Sequence, residues 1–150
     1  MNGAYTDWFD VTKGLRQGCL LSPMLHVFNL YINDLVTYIK TECNGIEIGG
    51  ENVCLLMYAD DLVLLAKSEK DLQLMLDKLN DWCEQWKVTV NTDKSEVVHF
   101  RPNQTLCSNY KFCIGNHTLK VVPKYRYLGL VLEEHLDFSV TADHVAKSAG

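Results

Sequence analysis

The segment Val53-Cys54-Leu55-Leu56-Met57-Tyr58-Ala59-Asp60-Asp61-Leu62-Val63-Leu64-Leu65 decides how the whole chain is read. An apolar run climbs to two adjacent carboxylates and a second apolar run leaves them. Runs this short, each bounded by polar residues, suit strands better than helices. Paired antiparallel, they make a hairpin whose tip holds Asp60 and Asp61. Successive strand side chains point to opposite faces, but a tight turn bends the backbone and lets both carboxylates reach one point. Carboxylates that close repel unless a cation, a proton or water relieves them. Hard oxygen ligands on a rigid hairpin suit Mg²⁺, which takes one or two protein carboxylates and leaves room for phosphates. The plainer alternative is a solvated pair of turn aspartates.

A second stretch lies upstream: Gly14-Leu15-Arg16-Gln17-Gly18-Cys19-Leu20-Leu21-Ser22-Pro23-Met24-Leu25. Ser22 suits a helix N-cap and Pro23 the first helical position. Behind them Leu25, Phe28, Tyr31, Ile32, Leu35, Val36 and Ile39 recur at helical spacing, so a helix is expected near 22–40. The two glycines let backbone approach another chain closely.

Together these stretches resemble a known family. Tyr58-Ala59-Asp60-Asp61 between two apolar strands is similar to the catalytic hairpin of reverse transcriptases. The upstream stretch is similar to the Gly-x-x-Gln-Gly-x-x-x-Ser-Pro motif that precedes it, best matched in retrotransposons without long terminal repeats. The resemblance implies RNA-templated DNA synthesis by a mobile element. It implies two Mg²⁺ ions, with Mn²⁺ an alternative, held by Asp60 and, in support, Asp61. It assigns template or nucleotide contact to Arg16, Gln17, Gly18, Tyr58 and Ala59. The partners it implies are an RNA template, a DNA primer and deoxynucleoside triphosphates.

Two later segments extend the resemblance. Asn91-Thr92-Asp93-Lys94-Ser95-Glu96 is a polar turn followed by an alternating strand from Val97 to Phe100. It is similar to the family's Asn-x-x-Lys-Thr-Glu segment, which makes Lys94 a catalytic residue facing the leaving pyrophosphate; otherwise it is a turn lysine in water. Tyr125-Arg126-Tyr127-Leu128-Gly129-Leu130-Val131-Leu132 reads as a strand similar to the primer grip, with Tyr127, Leu128 and Gly129 its informative core.

The rest of the chain fills in around these. Residues 1–13 suggest a strand, with Asp7 and Asp10 as solvated residues. Asn44-Gly45 and Gly49-Gly50 flank a short strand at Ile46-Glu47-Ile48. Ser68, with Asp71 three residues on, opens a helix near 69–87. Its apolar stripe is Leu72, Met75, Leu76, Leu79, Trp82, Cys83 and Trp86. A hairpin is expected around Gly115-Asn116, and Asp137 to Lys147 suits the start of a helix.

Composition sets the bounds. With 150 residues, 47% hydrophobic and 22% charged, the chain is one ordinary globular domain with a sizeable core. No apolar run approaches the roughly 20 residues that span a bilayer, and no basic-then-apolar leader is visible, which predicts the cytoplasm or nucleus. The six cysteines include no Cys-x-x-Cys pair and read as reduced thiols. Cys107, Cys113 and His117 fit no common zinc spacing.

The net charge of −5 is uneven. Residues 87–126 hold seven basic against two acidic side chains, +5, so the remainder carries −10. A basic second half beside an acidic hairpin suits a surface that grips phosphate.

The expected fold is α+β: an antiparallel palm-type sheet carrying the catalytic hairpin, backed by two helices. By resemblance, residues 1–150 are the second half of a palm ending at the start of the thumb, with the fingers and the first palm strand, which bears a third catalytic acid, missing. On that reading the chain alone is inactive. The rivals are a catalytically dead nucleic-acid-binding remnant and a functionless relic. A nucleotide cyclase is disfavoured by the glycine-glutamine loop.

Overall fold

A computed structural model describes the backbone of residues 22–137, with side chains from residue 32 onward. The suggested strand at 1–13, the loop residues Arg16, Gln17 and Gly18, and the helix expected up to Lys147 lie outside the described residues. The chain divides into two compact units, 1–34 and 35–150. The first contributes the opening turns of helix α1 (Ser22–Glu42), and the second holds the remaining described elements.

In the second unit come β1 (Ile46–Ile48), β2 (Glu51–Val53), β3 (Leu55–Tyr58), β4 (Asp61–Leu64), helix α2 (Glu69–Trp86), β5 (Glu96–Val97), β6 (Cys113–Ile114), β7 (His117–Thr118), β8 (Lys120–Val121), β9 (Lys124–Tyr127) and β10 (Leu130–Glu133). This is α+β, as expected. The single antiparallel sheet is not what forms among the described residues. Five two-stranded ladders form instead, four of them local hairpins and one, β5 with β8, parallel. Strands of two to four residues with polar or exposed edges offer too few unpaired backbone groups to fuse into one sheet.

Helix α2 follows directly from its sequence. The Ser68 hydroxyl accepts the Asp71 backbone N–H at 3.2 Å and donates to the Asp71 carboxylate at 2.6 Å, so the first turn is capped. At the far end Lys87 turns left-handed (φ 58°) and its N–H closes on Cys83 O. The helix buries Met75, Leu76, Leu79, Trp82 and Cys83, with Leu72 and Trp86 half-buried beside them.

That stripe meets Leu35 and Ile39 of α1, Cys43, Cys54, Leu55, Val97, Phe112, Ile114 and Leu119 in one core. Ile39 and Met75 are fully buried. Removing a buried side chain of that size costs about 2–5 kcal/mol. Of the expected α1 stripe, Leu25, Phe28 and Tyr31 carry side chains outside the described residues. Lys78 joins the two helices, 3.4 Å from Glu42 and 5.5 Å from the centre of the Tyr38 ring.

Polar contacts seat the hairpins. The Gln73 amide accepts from Cys113 N–H and donates to Cys113 C=O, both at 2.9 Å, acting as a strand partner for β6. The Gly45 N–H donates to Asn52 Oδ1 at 2.8 Å, and a Cβ on Gly45 would lie 2.4 Å from the Cys54 Cα. Only glycine lets these two backbones come that close. No helix among the described residues is long and apolar enough to cross a membrane.

Candidate active site on the hairpin tips

The decisive segment folds as a hairpin. β3 and β4 pair antiparallel with Leu55 opposite Leu64, Leu56 opposite Val63, Met57 opposite Leu62 and Tyr58 opposite Asp61. Leu65 N–H reaches Cys54 O at 2.8 Å and prolongs the ladder by one step. Ala59 and Asp60 are the two turn residues, so Asp60 stands at the tip and Asp61 opens β4 opposite Tyr58. Both carboxylates are exposed, and Tyr58 is 64% exposed. Residues directly opposite in such a pair share a face. Asp61 therefore lies on the face of Tyr58, Leu56 and Val63, while Leu55 is buried in the core.

The turn is not a relaxed one. Ala59 holds φ 52°, in the left-handed region that favours glycine. Positive φ confined to the first turn residue is the pattern of a type II′ turn, whose twist matches that of the flanking strands.

The donor set can be tested against a divalent cation. Two exposed, adjacent carboxylates on a tight turn are hard oxygen ligands with open coordination positions, which fits Mg²⁺ or Mn²⁺. Among the described residues no third His, Cys, Asp or Glu joins them.

The segment expected as one strand at 125–132 folds instead as a second hairpin. β9 and β10 pair with Tyr127 opposite Leu130, Arg126 opposite Val131, Tyr125 opposite Leu132 and Lys124 opposite Glu133. Leu128 (φ 47°) and Gly129 (φ 87°) form its turn, both left-handed as in a type I′ turn. A strand could not continue through two such residues. Leu128 is 52% exposed at the tip.

Lys94 sits in the polar turn, as expected. Lys94 N–H donates to Asn91 O at 3.2 Å and Ser95 N–H to Thr92 O at 3.3 Å. The Tyr125 hydroxyl donates to the Lys94 carbonyl at 3.5 Å, a long bond between this turn and the second hairpin that sequence reading does not reveal. The strand expected from Val97 to Phe100 keeps only Val97 in a ladder. Val122 N–H then bonds Val97 O, and Arg101 N–H bonds Glu134 O.

The basic half is less free than its count suggests. Arg101 is held 2.8 Å from Glu134 and donates to Thr105 O at 2.5 Å, so it serves the fold. Lys87, Lys94, Lys111, Lys120, Lys124 and Arg126 remain exposed. Thr92, Asp93, Ser95, His117, Thr118 and Lys120 line an open groove of about 360 Å³, which no sequence signal pointed to.

Comparison with known proteins shows the family of the chain. The reverse transcriptase (RNA-dependent DNA polymerase) family matches residues 1–132. The chain belongs to that family. It is 32% identical over 136 residues to the Retrovirus-related Pol polyprotein from type-2 retrotransposable element R2DM of Drosophila melanogaster, covering 86% of this chain and 13% of the relative. It is 29% identical over 135 residues to the RNA-directed DNA polymerase from mobile element jockey of the same fly, covering 86% and 14%. The type-1 R2 polyprotein of Nasonia vitripennis is 29% identical over 136 residues, covering 85% and 13%. The chain thus spans 13–14% of the length of these relatives.

Proposed function

We propose that this chain is the part of a mobile-element polymerase palm that carries the catalytic hairpin, and that it serves RNA-templated DNA synthesis. In that reaction a primer 3′ hydroxyl attacks the α-phosphate of a deoxynucleotide and pyrophosphate leaves. The observation that carries the reading is the Ala59-Asp60 turn: it exposes two adjacent carboxylates at the end of a ladder whose first residue, Leu55, is anchored in the core.

Asp60 and Asp61 would hold the divalent cation. Such ions, when bound, lower the hydroxyl's pKa and neutralise charge on the attacked phosphate and leaving group. The protein's own work is positional. The strained turn fixes the carboxylates relative to Tyr58, which with Ala59 faces the nucleotide. Tyr127, Leu128 and Gly129 support the primer end at the second hairpin tip. Lys94 presents its ammonium to the departing pyrophosphate, in a turn fastened to β9 through Tyr125. Arg16, Gln17 and Gly18 contact the template. The hairpins, in this reading, belong to one palm completed by segments outside the described residues.

Among the described residues Asp60 and Asp61 alone supply carboxylates at this tip, fewer oxygens than two cations need, so on this reading the chain alone is expected to be inactive. Mn²⁺ added to the labelled chain should broaden amide resonances of Tyr58 to Leu62 first, and Asp60→Asn should remove that selectivity. Broadening spread over the surface, unchanged in Asp60→Asn, contradicts the metal assignment. With Mg²⁺, primed RNA and deoxynucleotides the chain should give no extension; extension abolished by Asp60→Asn would overturn its inactivity.

A further inference from the structure

The Asn44-Gly45 pair joins α1 to β1, and the polymerase reading gives it no task. Asparagine before glycine is prone to spontaneous cyclisation, because a residue without Cβ leaves its backbone nitrogen open toward the preceding side-chain amide. In that reaction Gly45 N loses its proton to solvent base and attacks Asn44 Cγ. The N–Cγ bond forms, the Cγ–Nδ2 bond breaks, and Nδ2 leaves as ammonia with that proton. Water then opens the imide at one of its two carbonyls. Cleavage at Cγ gives aspartate. Cleavage at the α-carbonyl gives isoaspartate, with the Cβ methylene inserted in the backbone.

The two reacting groups have opposite surroundings. Asn44 is exposed, so its side-chain amide meets water. Gly45 is buried, and its N–H donates to Asn52 Oδ1 at 2.8 Å. A nitrogen that gave up this proton would face the lone pairs of the same oxygen, which disfavours its ionised form. Asn52 Nδ2 donates in turn to Cys43 C=O at 3.4 Å, so one side chain grips the backbone on both sides of Asn44. Asn52 itself is fixed in β2, opposite Glu47. Gly45 is also seated, because a Cβ there would collide with Val53 O and Cys54 Cα. Turning its nitrogen toward Asn44 Cγ means displacing the Val53–Cys54 backbone.

We propose that Asn44 is a latent modification site, converted to isoaspartate once the β1–β2 hairpin opens, and that Asn52 holds it unreacted in the folded chain. The modification reaches beyond its own bond. An inserted methylene lengthens the chain between Cys43 and Gly45, and Gly45 loses its seat on Cys54. The Cys54 carbonyl accepts Leu65 N–H at 2.8 Å and closes the base of the β3–β4 hairpin. Chemistry at one exposed amide thereby loosens the ladder that carries Asp60 and Asp61. The inference stands on the α1–β1 junction and is independent of whether those carboxylates bind a cation.

The test incubates the 150-residue chain in mildly alkaline buffer, native and in urea, and follows the peptide spanning Asn44 by mass and chromatography. Asn2-Gly3, a second such pair, lies on a separate tryptic peptide. Asn44 should convert about tenfold or more slowly in the native chain than in urea, the protection of a buried, hydrogen-bonded amide. Asn52→Ala should speed native conversion about two- to tenfold, the worth of one hydrogen bond. Asn52→Asp keeps an acceptor for Gly45 N–H and should stay near the parent rate. Hydrogen exchange at the Gly45 amide should rank the three chains in the same order. The purified isoaspartate chain should exchange its Leu65 amide faster than the parent, and Asn44→Ser should show no such change after the same incubation. Native conversion as fast as in urea, Asn52→Ala no faster than the parent, or unaltered Leu65 exchange in the modified chain overturns the proposal. If Asn52→Ala does not fold, the native-against-urea comparison and Asn52→Asp decide it: conversion of folded Asn52→Asp at the urea rate overturns it as well.

Discussion

Ala59 and Leu128 occupy the same position in two different hairpins, the first residue of a two-residue turn, and both are left-handed, with φ 52° and 47°. The other two local hairpins put glycine there: Gly49 (φ 61°) between β1 and β2, and Gly115 (φ 54°) between β6 and β7. Left-handed backbone costs a residue with a Cβ roughly 1–2 kcal/mol. Strain of this kind concentrates where surrounding structure or function holds it. Ala59 and Leu128 stand at the two tips proposed to face nucleotide and primer; the other non-glycine residues with positive φ among those described are Lys87, at the C-cap of α2, and Leu136 (φ 55°), after β10.

Relieving that strain should therefore stabilise the fold. Ala59→Gly recovers the left-handed penalty and loses part of it to the greater freedom of the unfolded chain, for a net gain of about 0.5 kcal/mol. Leu128→Asn installs the Asn-Gly pair that type I′ turns prefer and should gain about 0.5–1 kcal/mol. Urea melts of both variants decide the matter. A loss of more than 0.5 kcal/mol for Leu128→Asn would mean that its side chain packs in the fold, contrary to its exposure.

Arg101 and Glu134 should behave as a structural pair. The two residues are joined twice, by Arg101 N–H to Glu134 O at 2.8 Å and by guanidinium to carboxylate at 2.8 Å. Their side chains are only 13% and 19% exposed. Exposed pairs contribute up to about 1 kcal/mol, whereas breaking a buried one costs about 3–5. Arg101→Ala should fall between, near 2 kcal/mol, and Glu134→Gln should cost less because the amide keeps an acceptor. RNA binding, measured where both variants are folded, should be unchanged. A melt shifted by less than 0.5 kcal/mol returns Arg101 to the phosphate-gripping surface.

How far the sequence reached follows from the range of the interactions involved. The catalytic-type hairpin and α2 were legible because their signals are local: apolar runs broken by Asp60-Asp61, and Ser68 three residues before Asp71. The division of the 53–58 run at Cys54 was not. The chain is apolar across it, and the break depends on the approach of Gly45 and on the Leu65 N–H. The Leu128-Gly129 turn was hidden because leucine is a poor turn signal. The parallel β5–β8 pair and the groove join residues distant in sequence, where periodicity carries no information. Template-loop residues Arg16, Gln17 and Gly18 lie outside the described structure, so their role rests on the motif and the family match alone.

The Gln73 amide bridges α2 and β6 through the backbone of a single residue, Cys113. Gln73→Ala would strip partners from a part-buried N–H and C=O at once. Each unsatisfied group costs about 1–3 kcal/mol, softened where water enters. The expected loss is about 2 kcal/mol, with faster hydrogen exchange at the Cys113 amide. Gln73→Glu keeps the acceptor for Cys113 N–H and sets an anion against the carbonyl, so its exchange should be slower at that amide than in Gln73→Ala. Equal exchange in the two variants would mean that the side chain does not act as a strand partner.

The buried cysteines predict how stability changes in alkali. Burial pushes the Cys83 thiol above the ordinary range. Burial does the same to Cys43, with the neighbouring Cys54 adding in the same direction. The folded state therefore holds these protons more tightly than the unfolded state. This contribution to stability is complete below the ordinary thiol pKa of about 8.5 and is lost as pH rises through the raised folded values. Between pH 6 and 8 these thiols should leave the urea midpoint unchanged; above about pH 9 their contribution should make it fall. Cys83→Ala shifts the whole curve down through its lost packing, yet should flatten the alkaline part, because one proton linked to folding is gone. Thiol reagent at neutral pH should label exposed Cys107 well before Cys43, Cys54 or Cys83. An alkaline slope as steep in Cys83→Ala as in the parent would show that the thiol is not the titrating group.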